Sequence, residues 1–192
     1  GNTLHGLLNE GATDVTITTS SFYDNTTGVS IEESSNTEVS GNTITSNETG
    51  VIINNSDDTA INSNTLLGNG ADVWIVGADP ERTLIRSNTT DQTEVDKMIV
   101  YAADPIDPPT ITTHTTTTLT GTATANATID IYQLSPATGY VTYLDEVTAD
   151  ADGAWEFTSA DFNTTTVYLT ATTGTAGTSS FTTSAHPDAD LT

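Results

Sequence analysis

A period of 22 residues runs through the first half of the chain and limits the folds open to it. Ile17, Val39 and Ile61 stand 22 apart, as do Phe22, Ile44 and Leu66, and Asn25, Asn47 and Asn69. Val29, Val51 and Val73 keep the same spacing, as do Ile31, Ile53 and Ile75, with Gly28 and Gly50 before the first two valines and Gly6-Leu7 one period earlier. Within each copy apolar residues alternate, as in Val15-Thr16-Ile17, which is the period of a strand with one buried face. One such unit cannot bury that face alone, so successive units must stack. A right-handed parallel β-helix meets the requirement. Its columns become ladders, with Ile and Val inward and Asn or Gly at the corners, where those two residues best tolerate a positive φ.

The segment Gly41-Asn42-Thr43-Ile44-Thr45-Ser46-Asn47-Glu48-Thr49-Gly50-Val51-Ile52-Ile53, echoed by Ser63-Asn64-Thr65-Leu66-Leu67-Gly68-Asn69, resembles the Asn-rich repeat of pectate-lyase-like and periplasmic copper-processing β-helix proteins. The resemblance covers roughly residues 1–103 and implies the fold. Lyases, hydrolases, adhesins and structural proteins share it, so it does not imply a function.

The fourth copy is irregular: Gly77-Ala78-Asp79-Pro80-Glu81 interrupts the spacing, and all three basic residues, Arg82, Arg86 and Lys97, follow it. Lyases of this fold use Arg or Lys against acidic sugars. Pairing with local carboxylates is the simpler role for these three, because surface charges pair readily without function. The prolines of 104–109 lack an N–H for a ladder and read as a short stiff linker. Beyond them strands are expected around Leu119, Ile129–Ile131, Val141–Leu144, Trp155–Phe157, Val167–Ala171 and Thr178–Phe181, the spacing of a β-sandwich of about seven strands. The stretch from Leu119 to Tyr132, followed by Thr148-Ala149-Asp150-Ala151-Asp152-Gly153-Ala154-Trp155-Glu156-Phe157, is similar to the bacterial Ig-like modules of large surface adhesins. That resemblance implies an extracellular spacer or adhesive unit. The expected organisation is an all-β chain: β-helix over 1–103, linker 104–109, Ig-like sandwich 110–184 and tail 185–192.

Three Lys or Arg against 26 Asp or Glu give a formal charge of −23, which excludes a nucleic-acid partner because phosphate binding needs cations. No apolar run approaches the roughly 18 residues of a membrane span, so membrane insertion is not expected. There is no Cys, hence no disulfide or thiolate site, and His5, His114 and His186 lack the spacing of a zinc motif. Asp150 and Asp152 offer hard oxygens for calcium, although Asp-x-Asp-Gly is more commonly a turn. No nucleophile elbow or phosphate-cradling loop is present, so no catalytic residue is assigned and no resident cofactor is expected. Six Asn-x-Ser/Thr sequons occur, at Asn25, Asn47, Asn54, Asn88, Asn126 and Asn163. Asn25 and Asn47 fall in a repeat column, leaving Asn54, Asn126, Asn163 and Asn88 as glycosylation candidates.

These readings predict a non-enzymatic extracellular or cell-surface protein that self-associates into a filament or polymer. Surface glycans are a further partner class. The competing readings are a carbohydrate-binding or carbohydrate-cleaving β-helix with an accessory module, and a surface-layer component. A stack of about four coils is expected to expose its apolar interior at both ends, which invites association.

Overall fold

The computed structural model describes residues 2–77, 82–101, 105–159 and 166–185. The first half is a β-solenoid of about four turns. Strands Asn2–Glu10, Asn25–Glu32, Thr49–Asn54, Ala71–Val76 and Ile99–Tyr101 stack in parallel as a front sheet. Thr13–Thr18, Ser35–Ser40, Ala60–Asn62 and Leu84–Arg86 form a second face, and Ser21–Tyr23, Thr43–Thr45, Thr65–Leu67 and Thr89–Thr90 a third.

Register follows the sequence period. Ile17 pairs with Val39, Val39 with Ile61, and Ile61 with Ile85 on the second face. Phe22, Ile44, Leu66 and Thr90 align on the third face. On the front sheet Val29, Val51 and Val73 align with Ile99, and Ile31, Ile53 and Ile75 with Tyr101. These columns face one another across the interior as a single apolar core, in which all but the half-covered Phe22 and Tyr101 and the polar Thr90 are buried hydrophobics. Every inward methyl therefore has neighbours above, below and across, which gives close packing without a thick globule.

The corners differ from the sequence expectation. Four columns per coil take positive φ, and most of their members are neither Asn nor Gly: Asp14, Asn36, Asp58 and Arg82 form one, and Thr19, Gly41, Ser63 and Ser87 another. The stack imposes this backbone on whatever residue sits there. Asn25, Asn42, Asn47, Asn64, Asn69 and Asn88 follow a corner by one residue and turn inward. Asn64 shows the pattern: its Nδ2 donates to the Val39 carbonyl at 2.8 Å and to Asn88 Oδ1 at 3.1 Å, while its own Oδ1 accepts from Asn42. Asn42–Asn64–Asn88 and Asn25–Asn47–Asn69 are thus two hydrogen-bonded ladders. They satisfy buried amides that would otherwise be costly. Gly28 and Gly50 do not have positive φ; a Cβ on either would meet the carbonyl of the next coil at 2.6 Å.

The second half is built from antiparallel strands. Thr110–His114, Thr118–Thr122 and Ala154–Thr158 form one sheet. Thr128–Leu134, Val141–Thr148, Thr166–Thr173, Gly177–Thr178 and Thr182–Ala185 form another. Leu119, Trp155 and Phe157 of the first sheet meet Ile129, Ile131, Val167, Leu169 and Ala171 of the second in one core.

Two expectations change here. Within the segment expected as a linker, Pro109 is buried and Ile106 packs on the second core. The C-terminal end of the stack is not open, because the second half sits on it. Thr90, last strand residue of the third face, pairs antiparallel with Val141, so the third face runs on into the second half.

Candidate functional site

The residues whose chemistry is richest gather where the antiparallel half meets the last coil. Met98, Tyr132, Val141 and Tyr168 are buried together, with Phe181 and Tyr143 against them. The Tyr132 ring lies edge-on to Phe181 at 5.1 Å and to Tyr143 at 5.7 Å, and its hydroxyl accepts the Ser87 amide at 3.0 Å. The Ile85 amide donates to Thr178 Oγ1 at 3.0 Å, the Thr178 amide returns a bond to the Thr83 carbonyl at 2.9 Å, and Tyr101 donates its hydroxyl to the Thr178 carbonyl. Backbone groups that a further coil would have satisfied are satisfied instead by side chains and, at Thr83, by a backbone amide of the second half.

Arg86 links the halves by charge. Its Nε donates to Asp130 Oδ2 at 2.8 Å and its Nη2 to Asp130 Oδ1 at 2.6 Å, a bidentate pair, and Nη2 also reaches Glu146. Asp130 is fully buried, whereas the Arg86 side chain is 32% exposed. The hydrogen bonds that the guanidinium donates to Asp130 hold it charged, further above its ordinary range. Burial lifts Asp130 above the usual carboxylate range even against that partner. The other cations are used locally: Arg82 Nε lies 2.5 Å from Asp58, and Lys97 Nζ 2.8 Å from Glu94.

Asp72 occupies the column of Gly6, Gly28 and Gly50. Its carboxylate ends an asparagine ladder: Asn69 Nδ2 donates to Oδ1 at 3.2 Å, where the coils above offer another Asn, and Thr90 donates to Oδ2. Asp72 is 1% exposed, and burial raises its pKa to about 7 in spite of both hydrogen bonds, with the nearby Asp91 charge adding to the rise. It borders a small cavity with Leu66, Met98, Tyr132 and Phe181. Sequence reasoning missed Asp72 and Asp130. The signal for Asp72 was a carboxylate breaking a glycine column; Asp130 carried none beyond an acid between two apolar residues.

The glycosylation candidates separate by environment. Asn88 belongs to a ladder, 7% exposed, with its Nδ2 donating to the Ile61 carbonyl at 2.8 Å, so the nitrogen a glycan needs is committed. Asn54 ends a front-sheet strand partly exposed, and Asn126 is exposed in a turn with φ +61°. Asn163 lies outside the described residues. Asp150 Oδ1 accepts the amides of Asp152 at 2.9 Å and Ala154 at 2.8 Å, and Gly153 takes φ +84°, the geometry of a turn.

The family model described as periplasmic copper-binding protein (NosD) matches residues 1–104. The chain belongs to this family. No curated protein matches the chain. Among solved structures, the enzymatically active domain of tailspike protein 2 from bacteriophage CBA120 aligns at 11% identity and a TM-score of 0.35, over 98% of this chain and 38% of that one. The chain therefore spans well under half of that tailspike domain. The described residues do not fit the copper of the NosD family's description. Copper favours imidazole and sulfur donors. Here Cys is absent from the sequence and Met98 is buried in the junction. His5 lies on the first coil, and His114 in the second half faces Ser184 Oγ at 3.3 Å. Among the described residues no three His, Cys, Asp or Glu gather as a metal site.

Proposed function

We propose that this NosD-family chain is a non-enzymatic structural subunit of an extracellular or cell-surface assembly. It consists of a short parallel β-helix joined to an Ig-like module and contacts its neighbour through the end of the stack opposite that module. The observation that carries the reading is the junction. Arg86, Tyr132, Thr178 and Tyr101 spend their polar groups tying the halves into one body, as a part that transmits load requires. The first coil supports the contact. Leu7, Val15 and Phe22 are only half-covered, and the outer edges of Asn2–Glu10, Thr13–Thr18 and Ser21–Tyr23 have no strand beyond them among the described residues. Unpaired edges of this kind are templates for another strand. The family's periplasmic description and the adhesin-like second half favour a place outside the cytoplasm.

Electron microscopy of the native material, with sedimentation of the purified chain over rising NaCl or CaCl2, tests the reading. Filaments, and association that grows as salt screens the charge of −23, are expected. A monodisperse monomer throughout, or release of sugar from an acidic polysaccharide that Arg82→Ala or Arg86→Ala abolishes, would overturn it.

A further inference from the structure

The front sheet carries an outward row with two exposed large apolar side chains, Leu8 and Trp74. In register from coil to coil, Leu8 pairs with Ser30, Ser30 with Ile52, Ile52 with Trp74, and Trp74 with Val100. Leu8 is 46% and Trp74 43% exposed, whereas Ser30 is short and buried beneath its neighbours. The adjacent outward row reads Glu10, Glu32, Asn54, Val76. On the other faces one outward row is polar, with Thr18, Ser40, Asn62 and Arg86 on the second and Ser21, Thr43, Thr65 and Thr89 on the third, and the other is mixed, with Thr16, Glu38, Ala60 and Leu84 and with Tyr23, Thr45 and Leu67. A Trp raised from a flat apolar stripe marks an interaction surface.

We infer that this face pairs with the same face of a second copy, about a two-fold axis that runs along the strands through Ile52. Such an axis keeps strand direction and reverses coil order. It sets Ile52 against its mate, Trp74 over the low point at Ser30, and Leu8 over Val100. In the neighbouring row Glu32 then faces Val76 and Asn54 faces Asn54, whose amides can bond each other. The opposite choice, an axis along the stack, puts Trp74 on Trp74 and Ser30 on Ser30, bulk against bulk and gap against gap. Charge is compatible with this arrangement: Arg82, Arg86 and Lys97 are already engaged with carboxylates. A viable pairing must therefore keep glutamates off one another, and the axis along the strands does so for Glu32. Isologous contact requires self-complementarity of this kind, and sheets stacked face to face lie about 10 Å apart. The face is distinct from the stack end invoked above, so this pairing stands whether or not the chain forms filaments.

The test uses the purified full chain, free of Cys by nature. Sedimentation equilibrium in high salt should give twice the 20.0 kDa chain mass. Trp74→Glu should give half that mass with an unchanged circular dichroism spectrum. With a short bis-maleimide linker, Ile52→Cys should cross-link to itself. Leu8→Cys alone should not, because its mate lies four coils away, roughly 19 Å at the usual strand spacing; mixed with Val100→Cys it should. A monomer at every salt concentration, a dimer indifferent to Trp74→Glu, or cross-linking of Leu8→Cys to itself would overturn the proposal. So would a monomer whose Trp74 emission responds to neutral glycans, which would assign the face to carbohydrate. Trp155 is buried, so Trp74 is the surface reporter.

Discussion

At one end of the stack the first coil presents strand edges and the half-covered Leu7, Val15 and Phe22; at the other, the same columns run into Tyr132, Val141 and Phe181 and disappear from solvent. The two ends are built from the same repeat, and what separates them is termination. A ladder of Ile, Val and Asn satisfies each coil with the next and so specifies continuation. Ending it took residues foreign to the pattern. Asp72 replaces a glycine to receive Asn69, the Asp91 carboxylate accepts the Gly68 amide at 2.9 Å, and Gln92 donates to the Asn69 carbonyl. Above these, an antiparallel sheet supplies the hydrogen bonds that a fifth complete coil would have made.

This contrast can be broken most severely in its common part. Val39→Asp places an unpaired charge among fully buried columns and should cost several kcal/mol, enough to abolish the cooperative melt followed by circular dichroism. Arg86→Ala acts at the closed end, leaving Asp130 buried without its cation. The loss should be roughly 2–3 kcal/mol, below that of a fully buried pair because Arg86 is partly exposed. Denaturant titration should show most of it restored by Arg86→Met with Asp130→Leu.

Asp72 gives the closed end a pH dependence. Its folded pKa lies above its unfolded value, so the folded state holds the proton more tightly. The contribution is favourable at low pH and is lost as pH rises from about 4 to about 7. Asp72→Asn, able to accept from Asn69 and donate to Thr90, should stabilise the chain by roughly 1–2 kcal/mol at about pH 8 and remove that slope, a change readable in melting temperature against pH. The smallest effect should be at the open end. Asn64→Ala breaks an interior ladder and should cost about 1–3 kcal/mol, while Asn25→Ala, partly exposed on the first full ladder rung, should cost less than about 1 kcal/mol. Equal losses at the two positions would remove the distinction between interior and edge.

The sequence carried the stack in a form that could be read. Five columns at constant spacing leave few alternatives, and register in a parallel sheet follows when each inward residue must meet its own kind. The corners were harder, because a positive φ at Thr19 or Arg82 is set by neighbouring coils and not by the residue. The ladder asparagines were placed one residue off for the same reason. The junction was illegible. Arg86 and Asp130 lie 44 residues apart with no shared period, and a proline-rich segment reads as a spacer whether or not its residues fold back onto a core. Asn88 shows the limit for modification sites: a sequon is local, but its availability depends on a carbonyl 27 residues away.

The central claim is that the second half closes one end of the stack, whereas the first coil has no strand beyond it among the described residues. Native-state hydrogen exchange measured by peptide across the whole chain tests it most directly. Protection should be lowest in the first coil, rise through Val39 and Ile61, and stay high through Leu84–Thr90, where Ile85 and Ser87 donate to Thr178 and Tyr132. Exchange of 84–90 as fast as that of 2–10, with 128–148 unaffected by Arg86→Ala, would contradict the account.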